Sequence, residues 1–167
     1  MSEKLTKDSV PEDFTLALAL VDAIPVIFFG ANGIVLYRFF PYALLLAGAI
    51  LSLISGLVKV LWKVIVVVKR RNVWPMFWQM RIFLPLGFAL MVAAVVLHAG
   101  QIAWREFLTD LLSLPTVIFM GLGILGIVLM IVWAIVLDNG DKKANWVEQL
   151  TNGLSQLAFF IGLCFML

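Results

Sequence analysis

Long apolar runs separated by short polar segments dominate the sequence. A helix needs about 20 apolar residues to cross the hydrocarbon core of a bilayer. The runs predict five membrane-spanning helices, at 14–37, 42–68, 82–100, 115–137 and 146–167. We therefore expect an all-α, multi-pass transmembrane helical bundle of about five spans, within a range of four to six. The whole chain, 1–167, would form a single integral-membrane domain.

The last of these segments has the weakest pattern. An apolar stretch at 157–167 favours a span. The first half of the segment is polar and contains Glu148, Gln149, Thr151, Asn152, Ser155 and Gln156. Two interpretations stay open: the segment crosses the membrane, or it lies on the membrane surface.

The segment 101–114 between the third and fourth spans is amphipathic. Apolar residues recur there at helical spacing, at Trp104, Phe107, Leu108 and Leu111. The opposite face is polar, as in helices that lie in the membrane interface. The pattern predicts either such an interfacial helix or a continuation of the third span by a few turns.

The composition supports a membrane protein and limits the possible chemistry. The chain is 63% hydrophobic and 13% charged, whereas soluble proteins are about 45–50% apolar and about 25% charged. One cysteine excludes an internal disulfide, and one histidine excludes a histidine-cluster metal site. No catalytic or phosphate-binding motif is recognisable. We therefore expect no cofactor, no metal, no enzymatic activity and no nucleic-acid partner.

The basic residues indicate an orientation. Cytoplasmic loops of membrane proteins are enriched in lysine and arginine. Three segments that fall on one side carry most of the lysine and arginine outside the spans: Lys4 and Lys7, the cluster at 69–71, and the pair at 142–143. Only Arg38 and Arg105 fall on the other side. This distribution predicts a cytoplasmic N-terminus in a plasma or inner membrane.

Small residues mark two helix faces for close packing. Gly48, Ser52 and Gly56 recur at intervals of four in the second span. Gly121, Gly123 and Gly126 form a G-x-G-x-x-G pattern in the fourth. That pattern is no dinucleotide fingerprint here, because no strand precedes it. Small residues let membrane helices approach closely, so we expect both sets to lie at helix contacts.

Charged residues inside the apolar runs are the candidate functional groups, because ionised side chains are unfavourable in hydrocarbon. At about 1.5 Å per residue, Lys63 and Lys59 lie about 9 and 15 Å from Lys69, and Asp22 lies about 12 Å into the first span. Residues at comparable levels would form one polar layer, with three positive charges and one negative: Asp22, Lys59, Lys63, Gln79, Arg81, Asn152 and Gln156. Such a layer would attract an anion.

A simpler interpretation of these cations stays open. If the second span covers only 42–62, Lys59 extends to the headgroups and Lys63 lies outside the hydrocarbon. Arg81 would then also be interfacial. Asp22 has a short stem and follows a largely apolar stretch, so it is expected to lie inside.

Prolines in two spans are candidate hinges. Pro25 and Pro85 each remove a helical hydrogen bond and can kink their helices. With Gly30, Asn32 and Gly33, the first span could form a broken helix of the kind transporters use to expose backbone groups. The alternative is an ordinary kink.

These observations lead to two functional hypotheses. The first is a small membrane transporter or channel-like protein for an anionic or zwitterionic solute. The second is a non-catalytic membrane subunit that binds anionic lipid and a partner membrane protein. A lipid-modifying enzyme is a third, weaker hypothesis. One chain of about five spans is small for a permeation path, so we expect a homo-oligomer or a partner protein.

Overall fold

A computed structural model describes residues 15–137 and 142–167. This part of the chain is helical and contains no strand. Six α-helices and a 3₁₀ turn at Ala99–Gln101 are described. The helices are α1 (Leu16–Phe39), α2 (Ala43–Lys69), α3 (Trp74–Leu97), α4 (Trp104–Leu111), α5 (Thr116–Val136) and α6 (Lys142–Cys164).

Four of these helices, α1, α2, α3 and α5, are long and apolar enough to cross a membrane. The helix α6 has 23 residues but is not among the four, because its first half carries the polar residues already noted. The architecture confirms an all-α bundle compatible with a multi-pass membrane protein. The segment 1–14, which contains Lys4 and Lys7, and residues 138–141 lie outside the described residues, so the orientation stays a prediction.

The helices pack as a curved row in the order α3, α2, α1, α6, α5. Short connections make α1 and α2 antiparallel, and likewise α2 and α3, and α5 and α6. The helix α6 runs parallel to α1. One end of the bundle therefore holds the beginnings of α1, α3 and α6 and the ends of α2 and α5. We call it the Lys69 end.

The helix α3 begins at Trp74, well before the start of the predicted third span at 82. Pro75 lies in its first turn, where the missing N–H group and the fixed φ angle of proline favour helix initiation. The helix therefore includes Gln79 and Arg81, which the apolar pattern left outside the span.

The predicted small-residue contacts form along α2. A Cβ at Gly56 would come within 2.8 Å of Val26 on α1, and a Cβ at Gly48 within 2.5 Å of the Gly87 carbonyl on α3. Ser52 is buried beside Gly87. The stripe therefore serves two interfaces, with Gly56 facing α1 and Gly48 facing α3.

Two of the three glycines on α5 contact α6. Gly123 packs against Phe159 of α6, and Gly126 packs against Ser155. The Ser155 hydroxyl donates a hydrogen bond of 2.7 Å to the Gly123 carbonyl. Gly121 is exposed, and a Cβ there would meet nothing within 4 Å among the described residues. The expected packing role of Gly121 is therefore absent from the described contacts.

The segment 101–114 forms a separate helix, α4, after the 3₁₀ turn. The alternative that it continues the third span is therefore wrong. The Phe107 ring packs 5.0 Å from the Phe40 ring at the corner between α1 and α2. Trp104 and Leu108 stay exposed on α4. These contacts fix α4 to the bundle end opposite Lys69, and its interfacial position stays a prediction.

Neither proline breaks its helix. The helix α1 continues from Leu16 to Phe39 through Pro25, Gly30 and Gly33, and α3 continues through Pro85. The alternative of a broken first span is therefore wrong, because α1 is continuous and its glycines are used for packing. A Cβ at Gly30 would meet Leu53 within 2.7 Å, and one at Gly33 would meet the Ala49 Cβ within 2.5 Å.

Candidate functional site

A buried ion cluster joins α1 and α2. The Lys63 Nζ lies 2.9 Å from the Asp22 Oδ2, and the Lys59 Nζ lies 3.7 Å from the Asp22 Oδ1. The exposed fractions of the Asp22 and Lys63 side chains are 3% and 8%, whereas that of Lys59 is 28%. One carboxylate therefore lies between two ammonium groups, and only one of these groups remains partly open.

The helix lengths explain why these residues meet. Asp22 lies about 9 Å from the start of α1, and Lys63 lies about 9 Å from the end of α2, so the antiparallel helices place them at one level. Lys59 is one turn further from the Lys69 end. Gly56 and Val26 lie further from the Lys69 end, and their close contact brings the axes of α1 and α2 together next to the ion cluster.

A fourth charge enters from α6. Glu148 lies about 9 Å from the start of that helix, at the level of Asp22 and Lys63. Glu148 was not predicted to belong to the polar layer, although the same depth count on α6 places it there. Among the described residues, this level therefore holds two negative charges, Asp22 and Glu148, and two positive charges, Lys59 and Lys63. The sequence had predicted an excess of positive charge there.

An open cavity of about 430 Å³ adjoins this cluster. Small-molecule sites in proteins have volumes of about 300–1,000 Å³. Helices α1, α2, α3 and α6 all contribute to its wall. Its polar lining comes from Asp22, Ser52, Lys59, Asn152 and Gln156. Four of these residues came from the predicted layer, and Ser52 was predicted for helix packing. Both proposed hinge residues, Pro25 and Pro85, also line the cavity.

The amide groups of the cavity come from α6, and a residue of α1 positions one of them, that of Gln156. The Asn32 Nδ2 donates to the Gln156 Oε1 at 3.1 Å and to the Gln156 carbonyl at 3.2 Å. This pair fixes the Gln156 amide and leaves its Nε2 available as a donor. Asn152 lies one turn away, at about the same level as Lys59. A ligand beside Lys59 would therefore meet amide groups on the opposite wall.

One buried hydroxyl of the cavity is unsatisfied. The Ser52 side chain is buried, and its Oγ has no hydrogen-bond partner within residues 15–137 and 142–167. Buried polar groups in proteins are nearly always hydrogen-bonded. Because Ser52 lines the cavity, a bound polar group could satisfy this hydroxyl.

The structure does not bring Gln79 and Arg81 to the cavity. Gln79 accepts a hydrogen bond of 3.0 Å from the Ser55 hydroxyl and donates to the Ser55 carbonyl at 3.0 Å, which links α3 to α2. The exposed Arg81 guanidinium lies 5.0 Å from the ring centroids of both Phe77 and Trp78. Because both aromatic rings belong to α3, Arg81 is held on its own helix and away from Asp22.

The apolar part of the lining could not be selected from the sequence. It includes Val26 and Phe29 on α1, and Met80, Leu84 and Phe88 on α3. The spacing of four between the α3 residues shows that one helix face is involved. Nothing in the sequence distinguishes these residues from other apolar residues of the same helices.

Comparison of the chain with protein-family models, curated proteins and solved structures finds no match. In the described part of the chain, no group of three or more His, Cys, Asp or Glu side chains could hold a metal ion. The site therefore has to be interpreted from its own chemistry. It provides a partly exposed ammonium, a shielded carboxylate, two amides and a hydroxyl around one cavity.

Proposed function

We propose that the protein is a small membrane transporter for an anionic or zwitterionic solute, and that the cavity beside Asp22 and Lys59 is the solute site. The proposal is supported mainly by the difference between the two ion pairs that Asp22 forms with its lysines. The Lys63 contact is short and buried, whereas the Lys59 contact is longer and borders the cavity. Lys59 can therefore exchange part of its interaction with Asp22 for an incoming anion.

Each polar group has a role in this mechanism. Lys59 binds the anionic group of the solute through charge-assisted hydrogen bonds. Asp22 keeps both lysines in place when the cavity is empty. Asn152 and Gln156 donate to the solute from the opposite wall, and Ser52 supplies a further donor. Lys63 and Glu148 balance the cluster and do not line the cavity.

The N-terminus would be cytoplasmic, which places the solute site in the inner half of the membrane. The basic residues at 69–71 and 143 lie at the same end of the bundle as the cavity and would attract anions to it from the cytoplasm. Anionic membrane lipids would also gather at this end.

A second candidate function is a membrane subunit that binds a partner membrane protein or a second copy of itself. The helix α5 forms the edge of the row and packs mainly on α6, and most of its surface is exposed and apolar. A groove of about 370 Å³ follows Gly126 and Ser155 between these helices. Small residues beside a groove favour helix association in membranes.

Flux into proteoliposomes tests the transport proposal. Purified protein would be reconstituted, and uptake of a panel of labelled anionic and zwitterionic solutes would be measured under imposed gradients. We expect uptake of at least one solute to fall about tenfold in Lys59→Gln, since a charge-assisted hydrogen bond contributes about 1.5–3 kcal/mol. Arg105→Gln is the matched control, because Arg105 is exposed on α4 at the opposite end of the bundle.

Absence of uptake under every gradient would contradict the transport proposal. Together with an oligomer or partner complex that survives Lys59→Gln, it would favour the subunit function. Equal losses in Lys59→Gln and Arg105→Gln would mean that general surface charge is responsible, and the cavity would no longer be the solute site.

A further inference from the structure

The cavity opens sideways. Its floor is the α1–α2 pair, and its two sides are α3 and α6. These side helices each pack on the floor but, among the described residues, form no packed interface with one another. The gap between α3 and α6 therefore leads out through the flank of the bundle. For a bundle in a membrane, this flank faces acyl chains.

The α3 side of this opening is apolar and exposed. Leu84 and Phe88 line the cavity, and yet they are 39% and 59% exposed. They lie one turn apart and form a continuous apolar edge from inside the cavity to the outside of the bundle. An aqueous entrance would instead carry polar side chains at its edge.

The polar groups are concentrated away from this edge. Lys59 and Asp22 lie on the floor near the Lys69 end. The α3 side is lined only by apolar residues, Met80, Leu84, Pro85 and Phe88, whereas the floor and the α6 side carry the charged and amide groups. The chemistry of the cavity therefore matches a molecule with an anionic head and an apolar tail.

We propose that the solute is an amphiphile, namely a lipid-like molecule whose anionic headgroup binds Lys59 and whose acyl chain lies along Leu84 and Phe88. It enters from the bilayer between α3 and α6. This proposal rests on the proposed function, since it uses the same site, and it adds the substrate class and the route of entry. The headgroup meets Lys59, Asn152 and Gln156, and the chain buries apolar surface against α3.

Three probes that differ in one feature at a time test the proposal. Lysophosphatidic acid has a phosphate and an acyl chain, glycerol 3-phosphate has the phosphate without the chain, and lysophosphatidylcholine has the chain with a zwitterionic head. Equilibrium binding of each probe to the purified full-length protein in a neutral detergent would be measured. We expect lysophosphatidic acid to bind at least about a hundredfold more tightly than glycerol 3-phosphate, because each buried methylene contributes about 0.8 kcal/mol.

Two variants test the headgroup contact and the acyl-chain contact separately. Lys59→Gln should weaken lysophosphatidic acid binding about tenfold and should change lysophosphatidylcholine binding much less. Leu84→Trp should fill the apolar side and weaken lysophosphatidic acid binding about tenfold, with glycerol 3-phosphate binding unchanged. Leu86→Trp is the matched control, since Leu86 is exposed on the same helix and does not line the cavity. Melting temperatures of all variants would verify folding.

The possible failures are distinct. If glycerol 3-phosphate binds as tightly as lysophosphatidic acid, depends on Lys59 and ignores Leu84→Trp, the amphiphile proposal is overturned and the solute-site proposal survives. If both lipids bind equally and Lys59→Gln has no effect, only the apolar tail is recognised and the proposed headgroup contact is wrong. If none of the three probes binds, the proposed function fails as well.

Discussion

The Lys63 Nζ lies 2.9 Å from the Asp22 Oδ2, and both side chains are more than nine-tenths buried. Lys59 reaches the other oxygen of the same carboxylate at 3.7 Å, from a position that borders the cavity. Two lysines one helical turn apart therefore have different environments. Lys63 serves mainly to hold α2 against α1, and Lys59 is available to a ligand.

Removing the charge of Asp22 should destabilise the fold. Asp22→Asn leaves Lys63 buried without its closest described partner, and breaking a buried ion pair in this way costs about 3–5 kcal/mol. Thermal unfolding in detergent measures the effect. Asp110→Asn is the matched control, because Asp110 is exposed on α4, and it should change the free energy of unfolding by less than about 0.5 kcal/mol. Equal effects of the two variants would contradict the structural role of Asp22.

The two lysines should couple to Asp22 unequally. In a double-mutant cycle of Asp22→Asn with Lys63→Met, we expect a coupling free energy of about 2 kcal/mol, within the usual range for residues in contact. The cycle with Lys59→Met should give less than half of that, because its ion pair is longer and more exposed. A larger coupling for Lys59 would mean that the roles assigned to the lysines are reversed.

Two glycines should respond in opposite ways to the same substitution. Gly33→Val places a side chain against the Ala49 Cβ at the α1–α2 contact, and such overpacking costs about 1–3 kcal/mol. Gly121→Val meets open space on α5 and should leave the melting temperature unchanged or raise it slightly, since glycine is a poor helix former. A large destabilisation by Gly121→Val would instead show that an undescribed segment or another subunit contacts this face.

Neutralising Arg81 should leave solute uptake unchanged. Its guanidinium interacts with Phe77 and Trp78 on its own helix and does not line the cavity. We expect uptake by Arg81→Gln to stay within about twofold of wild type, which corresponds to about 0.4 kcal/mol. A loss as large as that of Lys59→Gln would return Arg81 to the solute site and would require a different position for α3.

The sequence predicted the helices and much of the charged site, because each depends on local pattern or on depth. Apolar length identified the four helices that are long and apolar enough to cross a membrane, together with a fifth, α6, that is not among them. Counting residues from helix ends placed Asp22 level with Lys63. Depth alone does not give the direction in which a side chain points around its helix. Arg81 was therefore included in the site although it faces away, and Glu148 was left out although it lies at the right level.

The suggested break in α1 and the unpredicted cavity also depend on how neighbouring helices pack, which local sequence does not show. Glycine and proline in α1 suggested a break, but their effect depends on what the neighbouring helix offers. Leu53 and Ala49 of α2 fill the space beside Gly30 and Gly33, and this packing favours a continuous helix. The cavity itself is a property of four helices together, so no single segment of the sequence shows it.

Anomalous diffraction from crystals grown in bromide tests most directly whether an anion occupies the cavity beside Lys59. The account predicts a bromide peak within hydrogen-bonding distance of the Lys59 Nζ and facing Asn152, and its loss in crystals of Lys59→Gln. An empty cavity in the wild-type crystals, or a peak that persists in Lys59→Gln, would contradict the assignment of Lys59 as the anion-binding group.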